Sequence, residues 1–73
     1  MAKIRVKVGI PIYEFWVYDI EAEDEDQAKM DVQRMLDNNE IDTYDMKFDT
    51  DSQGEYEVAG EAVVADAYLL GGG

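Results

Sequence analysis

The sequence predicts an α+β domain, one helix packed on a mainly antiparallel sheet in the order ββαββ. Three observations carry this: alternation of period two at the N-terminus, a capped apolar stripe at helical spacing from residue 25, and a return to alternation around Tyr44, Met46 and Phe48. At 73 residues the chain has room for a single domain, and one this short removes only about 60% of its unfolded surface from water. It contains no Cys and no His, which excludes disulfides and thiolate or imidazole metal sites. Stability must therefore come from packing or from a partner. A hydrophobic content of 47% with two Phe, one Trp and five Tyr separates the chain from disordered acidic tails.

Taken in order, Ile4, Val6 and Val8 alternate with Lys3, Arg5 and Lys7, which makes a first strand with one apolar and one basic face. Gly9-Ile10-Pro11 ends it. Pro11 has no N–H to donate and belongs in a turn or at a strand's first residue, so a second strand is expected from about Ile12 to Glu21, closing a hairpin. Trp16, Tyr18, Ile20 and Ala22 fall on one side of that strand, and Tyr13, Phe15 and Val17 on the other. Two apolar faces fit a central strand covered on both sides, a bulge that shifts phase, or an aromatic patch that meets a partner.

The acidic run Glu21 to Asp26 reads first as the start of a helix. Asp24 caps it, Gln27 three residues later completes a variant of the capping box, and Glu25 and Asp26 suit the positive end of the helix dipole. Ala28, Val32, Met35 and Leu36 form the core stripe of a helix from about Glu25 to Asp37. On its wet side Glu25 can pair with Lys29 and Asp31 with Arg34. Asn38-Asn39 is the stop, because Asn tolerates the left-handed conformation that follows a helix.

Beyond the helix, a third strand is expected from about Thr43 to Thr50, a turn at Asp51-Ser52-Gln53-Gly54, and a fourth strand at Glu55-Tyr56-Glu57-Val58. Gly60 marks a bend or bulge. Residues 62–70 read as a last strand or a short helix, Val63-Val64 favouring one and the alanines the other. The domain is expected to end at residue 70, with Gly71-Gly72-Gly73 as a loose tail.

Charge is the most unusual global property. The chain carries 18 acids against 6 bases, a net of −12. All 18 acids lie beyond Pro11, against Lys29, Arg34 and Lys47, a net of −15, whereas Lys3, Arg5 and Lys7 leave the first strand basic. Such a surface repels nucleic acid and anionic lipid and attracts a basic protein surface; solubility alone is the simpler account of it. The candidate contact residues are an acidic face of Asp45, Asp49, Asp51, Glu55 and Glu57, and an aromatic face of Tyr13 and Phe15. Strand alternation would set Asp45 and Asp49 on one side, with Glu55 and Glu57 beside them across the turn.

No enzyme site can be assembled by the usual routes. Ser52 is the only serine, there is no His or Cys to activate it, and a core this small is unsuited to enclosing the apolar cleft that a general-acid carboxyl requires. Asp49-Thr50-Asp51-Ser52-Gln53-Gly54-Glu55 resembles the opening of a calcium loop, but Gly60 stands where the bidentate Glu is needed and the flanks read as strands. A plain turn is the expectation, with no metal and no cofactor. The longest apolar stretch, Ala62 to Leu70, is short for a membrane span and is interrupted by Asp66. The alternating N-terminus lacks an apolar signal core, so a cytoplasmic protein is expected, its oligomeric state open and a dimer compatible with it.

Two resemblances add to this reading. The stretch Lys3 to Phe48, with its hairpin, the run Ile20-Glu21-Ala22-Glu23-Asp24-Glu25-Asp26-Gln27-Ala28, the helix, and Asn39-Glu40-Ile41 leading to Asp45 and Phe48, resembles small DpnD/PcfM-like proteins of phages and mobile elements. That resemblance implies no defined activity. The opening hairpin, the helix starting near residue 24, the later strands and the terminal Gly72-Gly73 also resemble ubiquitin-like β-grasp carriers, although Leu69-Leu70-Gly71 replaces the basic approach to the diglycine. The expected function is a non-enzymatic, phage-encoded binding module. Its acidic face would engage and inhibit a host protein at a basic surface, one that ordinarily binds nucleic acid, by mimicking phosphate charge. The alternatives are a carrier activated at Gly73 and a small virion or accessory subunit.

Overall fold

A computed structural model describes residues 1–70; the expected Gly71-Gly72-Gly73 tail lies outside the described residues. The N-terminal hairpin is the scaffold. Its strands β1 (Ala2–Ile10) and β2 (Glu14–Ala22) pair antiparallel along their full lengths, with Ile4 opposite Ile20, Val6 opposite Tyr18 and Val8 opposite Trp16. Opposed residues share a face, so these three pairs form one apolar surface and Lys3, Arg5, Lys7 and Gly9 lie on the other.

Helix α1 (Glu25–Asp37) has the expected bounds because both ends are set by local chemistry. The Asp24 carboxylate accepts from the Gln27 N–H at 2.8 Å. The capping box closes only in that direction: the Asp24 N–H does not reach the Gln27 side-chain oxygen, and the Gln27 amide donates to Asp31 one turn on. At the C-terminus Asn39 takes φ of 57°, the Glu40 N–H reaches the Met35 carbonyl and the Asn39 N–H the Leu36 carbonyl. This is a Schellman ending with Asn in the left-handed position. Of the two expected ion pairs, Asp31 and Arg34 meet at 3.5 Å; Glu25 and Lys29 do not form a bridge. Ala28 and Val32 are fully buried against Ile4, Val6, Val8, Ala22 and Ala67, with Leu36, Trp16, Tyr18 and Ile20 partly buried around them.

The chain after the helix departs from expectation. The third strand, expected over residues 43–50, is reduced to β3 (Lys47–Phe48), which pairs with Trp16 and Val17 of β2. Aspartates cause the shortening: the Asp42 carboxylate accepts from the Tyr44 N–H, the Asp45 carboxylate accepts from the Asp42 N–H, and residues 43–45 become a turn. The expected fourth strand at Glu55–Val58 is irregular. The last strand is β4 (Val63–Leu69), so the ambiguous segment at 62–70 is extended, and it pairs antiparallel with the open side of β1. The sheet order is β3-β2-β1-β4, giving the element order ββαββ with a minor β3.

Residues 49–60 cross the side of the hairpin away from α1. Asp49, Gly54 and Val58 donate backbone N–H groups to the carbonyls of Phe15, Tyr13 and Ile12, respectively. Phe15, Val17 and Val58 are buried there, outside the main core cluster. β2 is thus an internal strand covered on both sides, which accounts for its two apolar faces.

Candidate binding surface

The loop over the hairpin is held by a side chain that imitates a neighbouring strand. The Gln53 amide donates to the carbonyls of Phe15 at 2.7 Å and Asp49 at 2.6 Å, while its oxygen accepts from the Phe15 N–H at 3.4 Å. One amide group therefore reaches both backbone groups of Phe15, whose carbonyl also accepts from the Asp49 N–H, at the point where the two-residue β3 has already ended. Ser52 is buried beside it, and Gly54 (φ 73°) and Gly60 (φ 84°) turn the chain in the left-handed region that glycine tolerates.

This anchoring decides where the predicted contact residues stand. Glu55 reaches back to Lys7, its carboxylate oxygens 3.1 and 3.2 Å from Nζ. Lys7 Nζ also lies 5.0 Å from the centre of the Phe15 ring. Glu57 accepts from the Tyr13 hydroxyl at 3.2 Å. The Asp49 carboxylate accepts from the Asp51 N–H, and Asp51 is exposed at the turn. Four of the five acids, Asp49, Asp51, Glu55 and Glu57, thus lie on the loop pinned to the hairpin. Asp45 belongs to the separate turn after the helix, where its carboxylate caps Asp42. The strand alternation expected to align Asp45 and Asp49 is absent.

The predicted aromatic face is also rearranged. Tyr13 is half exposed, but Phe15 is completely buried, its ring in edge contact with Tyr56 at 4.9 Å. Phe15 is a core residue of the second layer, and the exposed apolar groups at this end are Ile12, Tyr13 and Tyr56. Sequence reasoning passed over Tyr56 and Gln53 because neither carries a local signal; each matters only through contacts with β2. A second aromatic pair, Trp16 and Phe48, meets edge to face at 5.1 Å across β2 and β3, and Tyr44, in the turn before β3, is almost fully exposed.

The acids are fixed against a limited basic complement. The connection between α1 and β4, residues 38–62, contains eight acids and one base, Lys47. On β1, Arg5 is committed to Asp19 across the strand pair through two hydrogen bonds of 2.8 and 3.0 Å, a bidentate geometry that favours both charges. The hydrogen bond from Arg5 holds the Asp19 carboxyl below the usual carboxylate range, against the opposing effect of partial burial. Among the described residues no group of three acidic side chains converges as a cation site would require, and no helix is long and apolar enough to cross a membrane. A shallow groove of about 580 Å³ runs between the outer side of α1 and β4, lined by Lys29, Met30, Gln33, Arg34 and Val64 among others.

No family model matches the sequence, and neither the curated proteins nor the solved structures provide a match.

Proposed function

We propose that the protein is a non-enzymatic binding module whose acidic loop engages a basic surface on another protein. The observation supporting this reading is that Asp49, Asp51, Glu55 and Glu57 sit on a loop tied to the hairpin by Gln53 and by three backbone hydrogen bonds. Carboxylates carried on an ordered loop present a field without first losing chain entropy on binding, and complementary charge raises association rates and selects partners. Tyr13 and Tyr56, half exposed at the edge of the same loop, supply amphipathic rings of the type that anchor interfaces. The finer reading is that a phage-encoded chain occupies a host protein's nucleic-acid-binding surface, its carboxylates standing in for phosphates.

The test is capture of partners from lysate at low salt, followed by binding measurements with Asp49, Asp51 and Glu57 changed together to Asn, Asn and Gln. Glu55 is left in place because it neutralises Lys7. The association rate should fall and its salt dependence flatten, with circular dichroism unchanged. Nucleic acid should compete for the same partner. An unchanged affinity and salt slope would reduce the acids to a solubilising role.

A further inference from the structure

β4 lies at the edge of the sheet, where an exposed strand offers its outward N–H and C=O groups to any other extended chain. The risk is considerable here, because Val63–Leu69 contains a single charged residue, Asp66, and Val63, Tyr68 and Leu69 are substantially exposed. The hydrogen-bond phase of the strand follows from one contact. The Leu70 N–H donates to the Lys3 carbonyl, so Leu70, Tyr68 and Asp66 face β1, and Leu69 and Ala67 direct their backbone groups outward. The register then slips at Ala65, between Lys7 and Val8 of β1, and Val64 becomes the outward residue.

Two of these outward N–H groups are occupied by side chains. Val64 donates to Gln33 Oε1 of α1 at 2.9 Å, and Ala67 donates to Asp66 Oδ1 at 2.8 Å. Gln33 is itself oriented, since its Nε2 donates to Asp37 Oδ1 at 3.0 Å and leaves the amide oxygen for Val64. Two occupied donors with a bulge between them interrupt the ladder that an incoming strand would need.

We propose that Gln33 and Asp66 guard the β4 edge, and that the strand they hold off is β4 of a second copy of this chain. The occupant follows from charge: on a molecule with a net charge of −12, β4 is a stretch along which two copies approach with little like-charge repulsion. An antiparallel pair centred on Ala67 places Asp66 opposite Tyr68 of the other copy and not opposite its own equivalent. The unpartnered edge is thus closed by two side chains, and losing them turns the sheet into half of a continuous two-copy sheet.

The experiment compares the parent chain with Gln33→Ala, Asp66→Ala and the double variant by light scattering across a concentration series, with Glu23→Gln as a control for the loss of one charge elsewhere. The expected result is a monomeric parent and control, and a double variant whose mass doubles with concentration. Amide exchange in the same proteins provides a second reading that does not depend on association. Gln33→Ala should accelerate exchange at Val64 and leave Ala67 slow, and Asp66→Ala should do the reverse. A parent that already pairs through β4, a double variant that stays folded and monomeric at every concentration, or exchange at Val64 and Ala67 insensitive to the two substitutions would overturn the proposal.

Discussion

Val58 packs against the backbone of Gly9 so closely that a Cβ built on the glycine would lie 2.9 Å from Val58 Cγ2 and 3.3 Å from Phe15 Cε1. The contact joins the loop to β1 at the centre of the second apolar layer, and it requires glycine for space, not for backbone conformation. Gly9→Ala must therefore displace Val58, whose β-branched side chain has little rotamer freedom. The expected cost is about 1 to 3 kcal/mol, typical of overpacking. Combining Gly9→Ala with Val58→Ala should cost less than the sum of the two single changes, because the clash disappears with the methyls. Urea denaturation of the four proteins measures this, and strict additivity would place Val58 elsewhere.

The Arg5–Asp19 pair predicts a specific dependence on pH. The folded-state pKa of Asp19 is lowered, so the stability it contributes is present above the ordinary carboxylate pKa of about 3.9 and is lost as pH falls through the folded value. The raised pKa of Arg5 has no bearing in this window, because arginine stays charged throughout it. Asp19→Asn should reduce stability near neutrality by about 1 kcal/mol, the upper end for a partly exposed pair. The difference from the parent should vanish in acid. Comparing the two proteins at each pH cancels the general relief of repulsion that protonation brings to so acidic a chain. A difference that persists at the lowest pH would assign the effect to packing.

Within the helix, burial and not side-chain size should rank the substitutions. Val32 is completely buried, whereas Leu36 is only partly covered. Val32→Ala should cost about 2 kcal/mol from lost burial and the residual cavity, and Leu36→Ala no more than that despite removing more atoms. The reverse order in thermal or chemical denaturation would mean that α1 is rotated about its axis relative to the sheet.

These measurements separate what is local in the chain from what is not. The bounds of α1 were legible because Asp24, Asn38 and Asn39 act on backbone groups within a few residues of themselves. The β1–β2 hairpin was legible because alternation over nine-residue strands leaves one register that buries Ile4, Val6 and Val8 together. Acidic composition and the absence of Cys and His likewise needed no coordinates. Tertiary structure alone decided the fate of residues 43–62. There, short runs of alternation at Tyr44–Phe48 and Glu55–Val58 competed with aspartate-capped turns and with bonds to β2 some forty residues earlier, such as Gln53 to Phe15. Alternation in so short a segment has a weak preference that a few such bonds override. The burial of Phe15 follows from the same cause: the strand's pattern declared two apolar faces, but whether the second of them meets water depends on a loop whose position no local signal encodes.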